Sequence, residues 1–542
     1  MDSRVSFEAL PTEILEAIFL NLDPTSLVSV SQTSRAIKKL TTEAPVIWRN
    51  FCLTRFKHWA AHHHIEAKAA APLSSVDWRR LFIERVNIEK STRRLLNQVL
   101  ETQLRRFKHI NDIAEFGHDA KETLLKECAC PDDAEDVLAR RFYANATLER
   151  IQRETAIVTW KELSEGKPIP LEQSLGAFDL FTRTGEDVEL CVISDDLDNM
   201  AKEVEAEHPE FRKLSTRQKA TTLVQFMRDK GFRGVGEDSY RALRNSFIGL
   251  VLRSAGHESL PLITVAIYSA LASRLGMDAR PCGFIFHVYC IVYAPDDYDL
   301  EGKYKPTRGS DRDYMYLDPF RSTDEINQND LVRTLREMGI PAPQHKDFLS
   351  PATTMEMTMR TGRNIMTSVQ TIRHTELGNG AVPQAVAAYP DIESSFYAVI
   401  WAFLFLNEST AGTGEGAVPD NRRRQYLPYL LNHFNTHCPW DISLLIKYVI
   451  PLFNEEPEQE RLFNYIRTLN IEDSIPKPVS HRSGLIHPVR FKVGQLFRHK
   501  RYMYEGVITG WDPHCSAGEE WIQHMDVDRL PGGRDQSFYH VL

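Results

Sequence analysis

The segment Leu10-Pro11-Thr12-Glu13-Ile14-Leu15, continuing through Ile18, Leu20, Leu22, Leu27, Val30 and Leu40 to Trp48, sets the reading of the amino-terminal region. Ile14, Leu15, Ile18, Phe19 and Leu22 recur at helical spacing, Pro11 is suited to opening a helix, and Glu13 places a carboxylate at the positive helix end. Asp23-Pro24 then ends this helix and starts another, because Asp can cap and Pro has no N–H to lose in the first turn. Three short helices are expected. They cannot bury all these apolar side chains among themselves, so some must meet a partner or the rest of the chain.

This block resembles an F-box over roughly Phe7 to Phe51: the Leu10-Pro11 start, Ile14, Leu15 and Ile18, the Asp23-Pro24 turn, Leu27, the Ser31 to Arg35 segment and Trp48 all match. The resemblance implies a Skp-type adaptor as partner. It places Leu10, Pro11, Ile14, Leu15, Ile18, Leu22 and Leu27 in the contact.

Composition narrows the rest. A chain of 542 residues holds about three to four domains. With 42% hydrophobic and 26% charged residues it is globular, and its net charge of −9 offers no overall electrostatic footprint for nucleic acid or anionic lipid. No secretory leader is expected at the amino terminus, and the apolar run Phe396 to Leu406 is too short to span a bilayer, which takes about 20 residues. It reads as a buried helix. Eight cysteines without repeated spacing suit reduced thiols in a cytoplasmic or nuclear protein, and Cys128-Ala129-Cys130 is too close for a zinc pair. His62-His63-His64 lies in an Ala-rich linker and reads as a solvated loop. No metal, cofactor or membrane is expected.

Ala60 to Pro72 reads as a linker, and Asp77 to Ile110 and Leu138 to Leu163 as helices, broken by Gly166-Lys167-Pro168-Ile169-Pro170. From Leu171 an α/β pattern begins. Val188 to Ile193, Pro281 to Tyr293 and Tyr314 to Leu317 are strand candidates, and Leu260 to Leu275 is a buried helix ending at Gly276. Asp296 to Asp313 reads as an exposed insertion. Helical patterns return over Pro383 to Asn470, apart from a loop near Thr410 to Ala417. Beyond Pro478 aromatic and β-branched residues alternate with glycines, as in a small β-domain.

Ser273-Arg274-Leu275-Gly276, His287-Val288-Tyr289, Asn245-Ser246-Phe247 and Asp318-Pro319-Phe320 resemble the SirB-type branch of the transglutaminase-like fold, over roughly Leu171 to Phe348. In active members of the superfamily a helix-start Cys attacks an acyl group, a strand His activates it, and an Asp orients that His. His287 and Asp318 match the last two roles. The helix start here is Ser259-Leu260-Pro261-Leu262-Ile263-Thr264, without a Cys. Cys282 and Cys290 belong to the same predicted strand as His287, and Cys191 is not followed by the Arg-Leu-Gly segment. Ser259 and Thr264 carry hydroxyls that need more activation than a thiol. The resemblance therefore implies a binding scaffold with a remnant His287–Asp318 pair, and the alternative is a transglutaminase- or protease-like thiol enzyme.

Phe491 to His499, Tyr504 to Asp512 and Arg534 to Leu542 resemble the YccV-like, or hemimethylated-DNA-binding, module. That pattern normally continues past Tyr539-His540-Val541-Leu542, which implies an incomplete module of marginal stability. Arg498, Lys500 and Arg501 form a basic patch, with Tyr502, Tyr504 and Trp511 as its aromatic neighbours. Acidic residues nearly balance the basic ones, so the segment reads first as a solvated hairpin; DNA is not favoured, a protein ligand is as plausible as DNA, and a DNA-binding protein acting through this module is an alternative to the reading below.

The expected architecture is multidomain α+β: an F-box at 1–55, a linker and helical connector at 56–170, a transglutaminase-like domain at 171–380, a helical extension at 381–480 and a YccV-like β-barrel-like domain at 485–542. The three-part arrangement implies a substrate receptor of a Skp-cullin-F-box ubiquitin ligase, with a cullin-RING assembly as partner and an unidentified protein target.

Overall fold

In the computed structural model, the described residues are 7–134, 136–185, 188–305, 312–377, 389–406, 421–477, 482, 489–500 and 502–542. The loop expected near Thr410 to Ala417 and the basic-patch residue Arg501 lie outside them. The chain forms two compact units, one of Met1–Leu148 with Trp440–Leu542 and one of Glu149–Pro439.

The first unit begins with α1 (Thr12–Phe19), α2 (Pro24–Ser31) and α3 (Arg35–Glu43), as the sequence suggests. Pro11 occupies the N-cap of α1. Asp23 caps α2, accepting from the backbone N–H groups of Thr25 at 2.9 Å and Ser26 at 3.0 Å. The hydroxyls of Ser26 and Thr25 also donate to this carboxylate, which holds its pKa well below the ordinary range. A further helix, α4 (Pro45–Arg55), follows because Pro45 cannot continue α3 but suits a first turn. It brings Ile47, Trp48, Phe51 and Cys52 against Trp78, Leu81 and Phe82 of the long helix α5 (Trp78–Glu101). The core of the amino-terminal module is thus completed by α5.

The segment read as a linker is ordered. It contains a helix over Ile65–Ala70, and Arg49 donates to the Ala69 carbonyl at 2.8 Å. His63 is buried, which corrects the reading of a solvated histidine loop. Its Nε2 lies 2.7 Å from Asp119 Oδ2, and Arg85 Nη1 reaches the other Asp119 oxygen at 2.5 Å. Such a partner, 56 residues away in sequence, gives the local composition no trace.

In the second unit α6 (Leu171–Thr182), α7 (Leu190–Glu207), the short helix α8 (Ile248–Arg253) and α9 (Pro261–Arg274) enclose an apolar core. The expected strand Val188 to Ile193 is instead largely the start of α7. Its apolar run was too short to separate the two periods, and Ile193, Leu197, Ala201 and Val204 line one buried helical face. The buried helix α9 agrees with the sequence reading, and Gly276 follows it at φ +75°. Asp179 of α6 is fully enclosed and accepts from the N–H groups of Gly249 at 3.2 Å and Leu250 at 3.1 Å. Burial pushes its carboxyl up to about 6. Since the folded value exceeds the unfolded 3.8, ionisation opposes folding, and the contribution of Asp179 to stability should fall as pH rises from about 4 to 6. Melting curves of the wild type and Asp179→Asn across that window should converge at its acid end and diverge at its upper end. A constant difference would contradict this.

An antiparallel sheet follows in the order β1 (Asp278–Pro281), β2 (Cys290–Tyr293), β3 (Tyr314–Leu317), β4 (Glu325–Ile326). Cys290, Val292, Met315 and Leu317 face the core beside α9, whereas Ile291 and Tyr316 face a second cluster with Leu331 and Leu335, the alternation expected of a strand. The strand read over Pro281 to Tyr293 is really a hairpin whose connection spans 282–289. Phe286 sits there at φ +62°, which interrupts any ladder.

Helices α10 (Thr354–Leu377), α11 (Ile392–Phe405) and α12 (Asn421–His437) complete this unit. Asp391 caps α11 at the Ser394 N–H, and the apolar run read as a buried helix is buried apart from half-buried Phe396. The chain ends in a three-stranded sheet, β5 (Leu496–Arg498), β6 (Glu505–Asp512) and β7 (Phe538–Val541), in that order. Between β6 and β7 lies an unforeseen short helix, Glu519–His524, with acidic residues in its first turn and Ile522 buried. Among the described residues no helix is long and apolar enough to cross a membrane.

Candidate functional site

Neighbouring apolar residues of α1 and α2 divide between inside and outside. Leu15, Phe19 and Leu27 are buried, 5%, 1% and 1% exposed, and knit α1 and α2 to α4 and α5. Ile14 and Ile18 on α1 and Val28 on α2 stand 50%, 38% and 49% exposed. Pro11 is exposed, and Leu10 and Leu22 are half-buried. Assigning Leu15 and Leu27 to a docking contact is therefore corrected: they support the face that Ile14 and Ile18 present. Val28 and Phe7 are also exposed and were not singled out from sequence.

Two of the central motifs, His287-Val288-Tyr289 and Asp318-Pro319-Phe320, meet beside the sheet of the second unit. His287 lies in the β1–β2 connection and Asp318 directly follows β3. His287 Nε2 is 2.9 Å from Asp318 Oδ2, but the pair lacks hydrogen-bond alignment, so Nε2 and Asp318 Oδ1 are buried without a hydrogen-bond partner. Asn245 Oδ1 and Ser246 Oγ, from the Asn-Ser-Phe motif, are likewise buried and unpartnered. Tyr289 and Phe320 flank the imidazole, with ring centroids 4.7 and 5.8 Å away.

Nothing at the start of α9 supplies a thiolate. Its N-cap is Leu260, and the Ser259 and Thr264 hydroxyls bond each other at 2.7 Å. Cys282 donates to the Phe348 carbonyl at 3.2 Å, and burial pushes its thiol up to about 11. Burial also raises the Cys290 thiol. Both shifts oppose the lowered pKa that a nucleophilic cysteine needs. Cys191 is exposed on α7.

In the carboxy-terminal sheet Arg498 is paired with Glu505 across the β5–β6 ladder, both side chains being exposed. His499 stacks on Tyr502 and Tyr504, with centroids 5.0 and 4.9 Å apart, and both tyrosines are exposed. Trp511 is half-buried opposite Tyr539, and Lys500 is exposed. The described part of the predicted basic patch is thus an aromatic stack beside exposed Lys500 and an arginine paired with Glu505.

The family model described as F-box-like matches residues 7–54, that of the transglutaminase-like superfamily matches 192–363, and that of the hemimethylated DNA-binding protein YccV like matches 489–542. The chain carries F-box-like, transglutaminase-like and YccV-like domains. The exposed Ile14–Ile18 face belongs to the F-box-like domain, the His287–Asp318 pair to the transglutaminase-like domain and the aromatic stack to the YccV-like domain. F-box only protein 21 of Homo sapiens is 22% identical over 585 residues, spanning 98% of this chain and 83% of that protein. The Pongo abelii protein of the same name gives 22% with the same coverage, and the Mus musculus protein 24% over 57% of this chain and 45% of its own length. No solved structure matches the chain.

The fold draws two further clusters together, the first around the histidine run read as a solvated loop. In His62, His63 and Asp119 the carboxylate is already engaged by Arg85, His63 and the Ala60 N–H. Glu393, His433 and His437 form the other, for which the only sequence signal was the four-residue spacing of the histidines.

Proposed function

We propose that this chain is the substrate-recognition subunit of a Skp-cullin-F-box ubiquitin ligase, docking a Skp-type adaptor through the α1–α2 face and presenting a protein target to the cullin-RING assembly. The observation that carries this reading is an F-box-like domain whose core is completed by α5, yet which leaves Ile14, Ile18 and Val28 outside that core. The F-box only protein 21 relatives, similar along nearly the whole chain, support it. Catalysis of bond formation is not required of such a subunit; holding a target near the ubiquitin-loaded enzyme raises its effective concentration. Mixing the full chain with a purified Skp-type adaptor should give a one-to-one complex on size exclusion. Separate elution of the two proteins at micromolar concentration would refute the reading.

In this proposal the transglutaminase-like domain is a non-catalytic scaffold. The high pKa of the Cys282 thiol, the raised Cys290 thiol and the absence of a cysteine at the start of α9 support that assignment. A thiol-directed acyl probe at pH 7 should leave Cys282 and Cys290 unlabelled in the folded chain while exposed Cys191 is modified. Rapid labelling of either buried cysteine, lost on His287→Ala, would instead establish a thiol enzyme.

A further inference from the structure

We propose that Glu393, His433 and His437 bind one divalent transition-metal ion of the zinc type, clamping α11 to α12. His433 and His437 are four residues apart on α12 and so project from one face, the arrangement by which a helix offers two imidazoles to a metal. Glu393, in the first turn of α11, faces them. One ligand atom from each residue can be chosen so that all three lie within 4.8 Å of one another. Glu393 Oε2 is 3.8 Å from His433 Nδ1, too long for a hydrogen bond and close to the roughly 3.3–3.6 Å between ligands set about 2.0–2.2 Å from a tetrahedral zinc.

The surroundings hold these groups in place. Arg373 of α10 takes the other carboxylate oxygen, Oε1, at 2.6 Å and rests 4.6 Å over the Phe396 ring, leaving Oε2 directed at the histidines. A carboxylate oriented by an outer partner in this way is typical of a metal ligand. His433 is buried and stacks on Tyr397, with centroids 4.3 Å apart, while His437 lies 4.6 Å from it at the surface and gives an ion an entry path. Two imidazoles and one carboxylate suit zinc; calcium and magnesium favour all-oxygen sites. Three protein ligands leave a fourth position for water.

The plainer reading is that His433 is only a core histidine stacked on Tyr397. It assigns no role to the convergence of Glu393 Oε2 and exposed His437, and the two readings separate by experiment. Chelator-treated full-length chain is dialysed against micromolar zinc chloride and its bound metal counted, beside His437→Ala and Glu393→Gln, both changes at accessible positions. The wild type should retain one more zinc than either variant, and zinc should raise its melting temperature but not theirs. Loss of a direct ligand should weaken binding by more than the roughly 10- to 100-fold that outer partners cost. Cobalt substituted for zinc should give a visible absorption band only in the wild type. Equal zinc content and equal thermal response in all three chains would overturn the proposal. Should one variant fail to fold by circular dichroism, the other gives the same readout.

Discussion

Ile14→Asp should weaken binding to a Skp-type adaptor by at least about 30-fold, equivalent to about 2 kcal/mol, while leaving the chain folded. Ile14 is half exposed, so the substitution removes little core contact, and surface changes of this kind usually alter stability by less than about 0.5 kcal/mol. In a complex, however, the new carboxylate would be buried against an apolar surface without a partner, which is costly. Ile18→Asp should behave alike. Leu15→Asp would be uninformative, because Leu15 belongs to the core shared with α4 and α5, and loss of binding would then report loss of structure. Deleting residues 1–55 has the same defect, since it strips Trp78, Leu81 and Phe82 of the helices that cover them. Calorimetric titration of wild type and Ile14→Asp, with circular dichroism as the control for folding, is the measurement. Equal affinities would remove Ile14 from the contact.

Arg85→Ala should destabilise the first unit by about 3–5 kcal/mol, the cost of breaking a buried ion pair by removing one partner. The side chain is fully buried between Asp119 and Glu122, with Nη2 3.0 Å from both Glu122 Oε2 and the His58 carbonyl. Its guanidinium lies 4.6 Å from the Phe56 ring centroid and 4.8 Å from that of Trp59. The carboxylates have further duties: Asp119 receives the Ala60 N–H, and Glu122 receives those of Lys57 at 2.6 Å and His58 at 2.8 Å. Removing Arg85 leaves two carboxylates with no cation between them and an apolar slot unfilled. Asp119→Ala should also destabilise, and the double variant should lose less than the sum, because the two groups share one network. Amide exchange within Trp78–Glu101 reads the effect on this unit without assuming two-state unfolding of the whole chain. Unchanged exchange in Arg85→Ala would show that the network contributes little to stability.

The features legible in the sequence were those fixed by near neighbours. The Asp23 cap works within three residues, and helix α9 is bounded by Pro261 and Gly276, so both could be read from local chemistry. Which of two adjacent apolar residues turns inward could not. Ile14 and Leu15 are equivalent in composition, and only the packing of α4 and α5 sends one inside and leaves the other out. The start of α7 was misread for a related reason: a short apolar run carries no period until Leu197, Ala201 and Val204 are seen to share a face. His63 and Glu393 depend on partners 56 and 40 or more residues away, so the only local signatures were the His62-His63-His64 run and the spacing of His433 and His437. At the central site, the missing cysteine was visible in sequence. The displacement of His287 from a strand into the β1–β2 connection was not, because it follows from the backbone at Phe286.

The most direct test of the docking claim is amide hydrogen exchange of the full chain with and without a Skp-type adaptor. Slowed exchange confined to Thr12–Phe19 and Pro24–Ser31 and their immediate neighbours, with the 282–289 connection and α9 unchanged, is the expected result. Protection centred on the transglutaminase-like or YccV-like domain, with α1 and α2 exchanging as in the free chain, would contradict it.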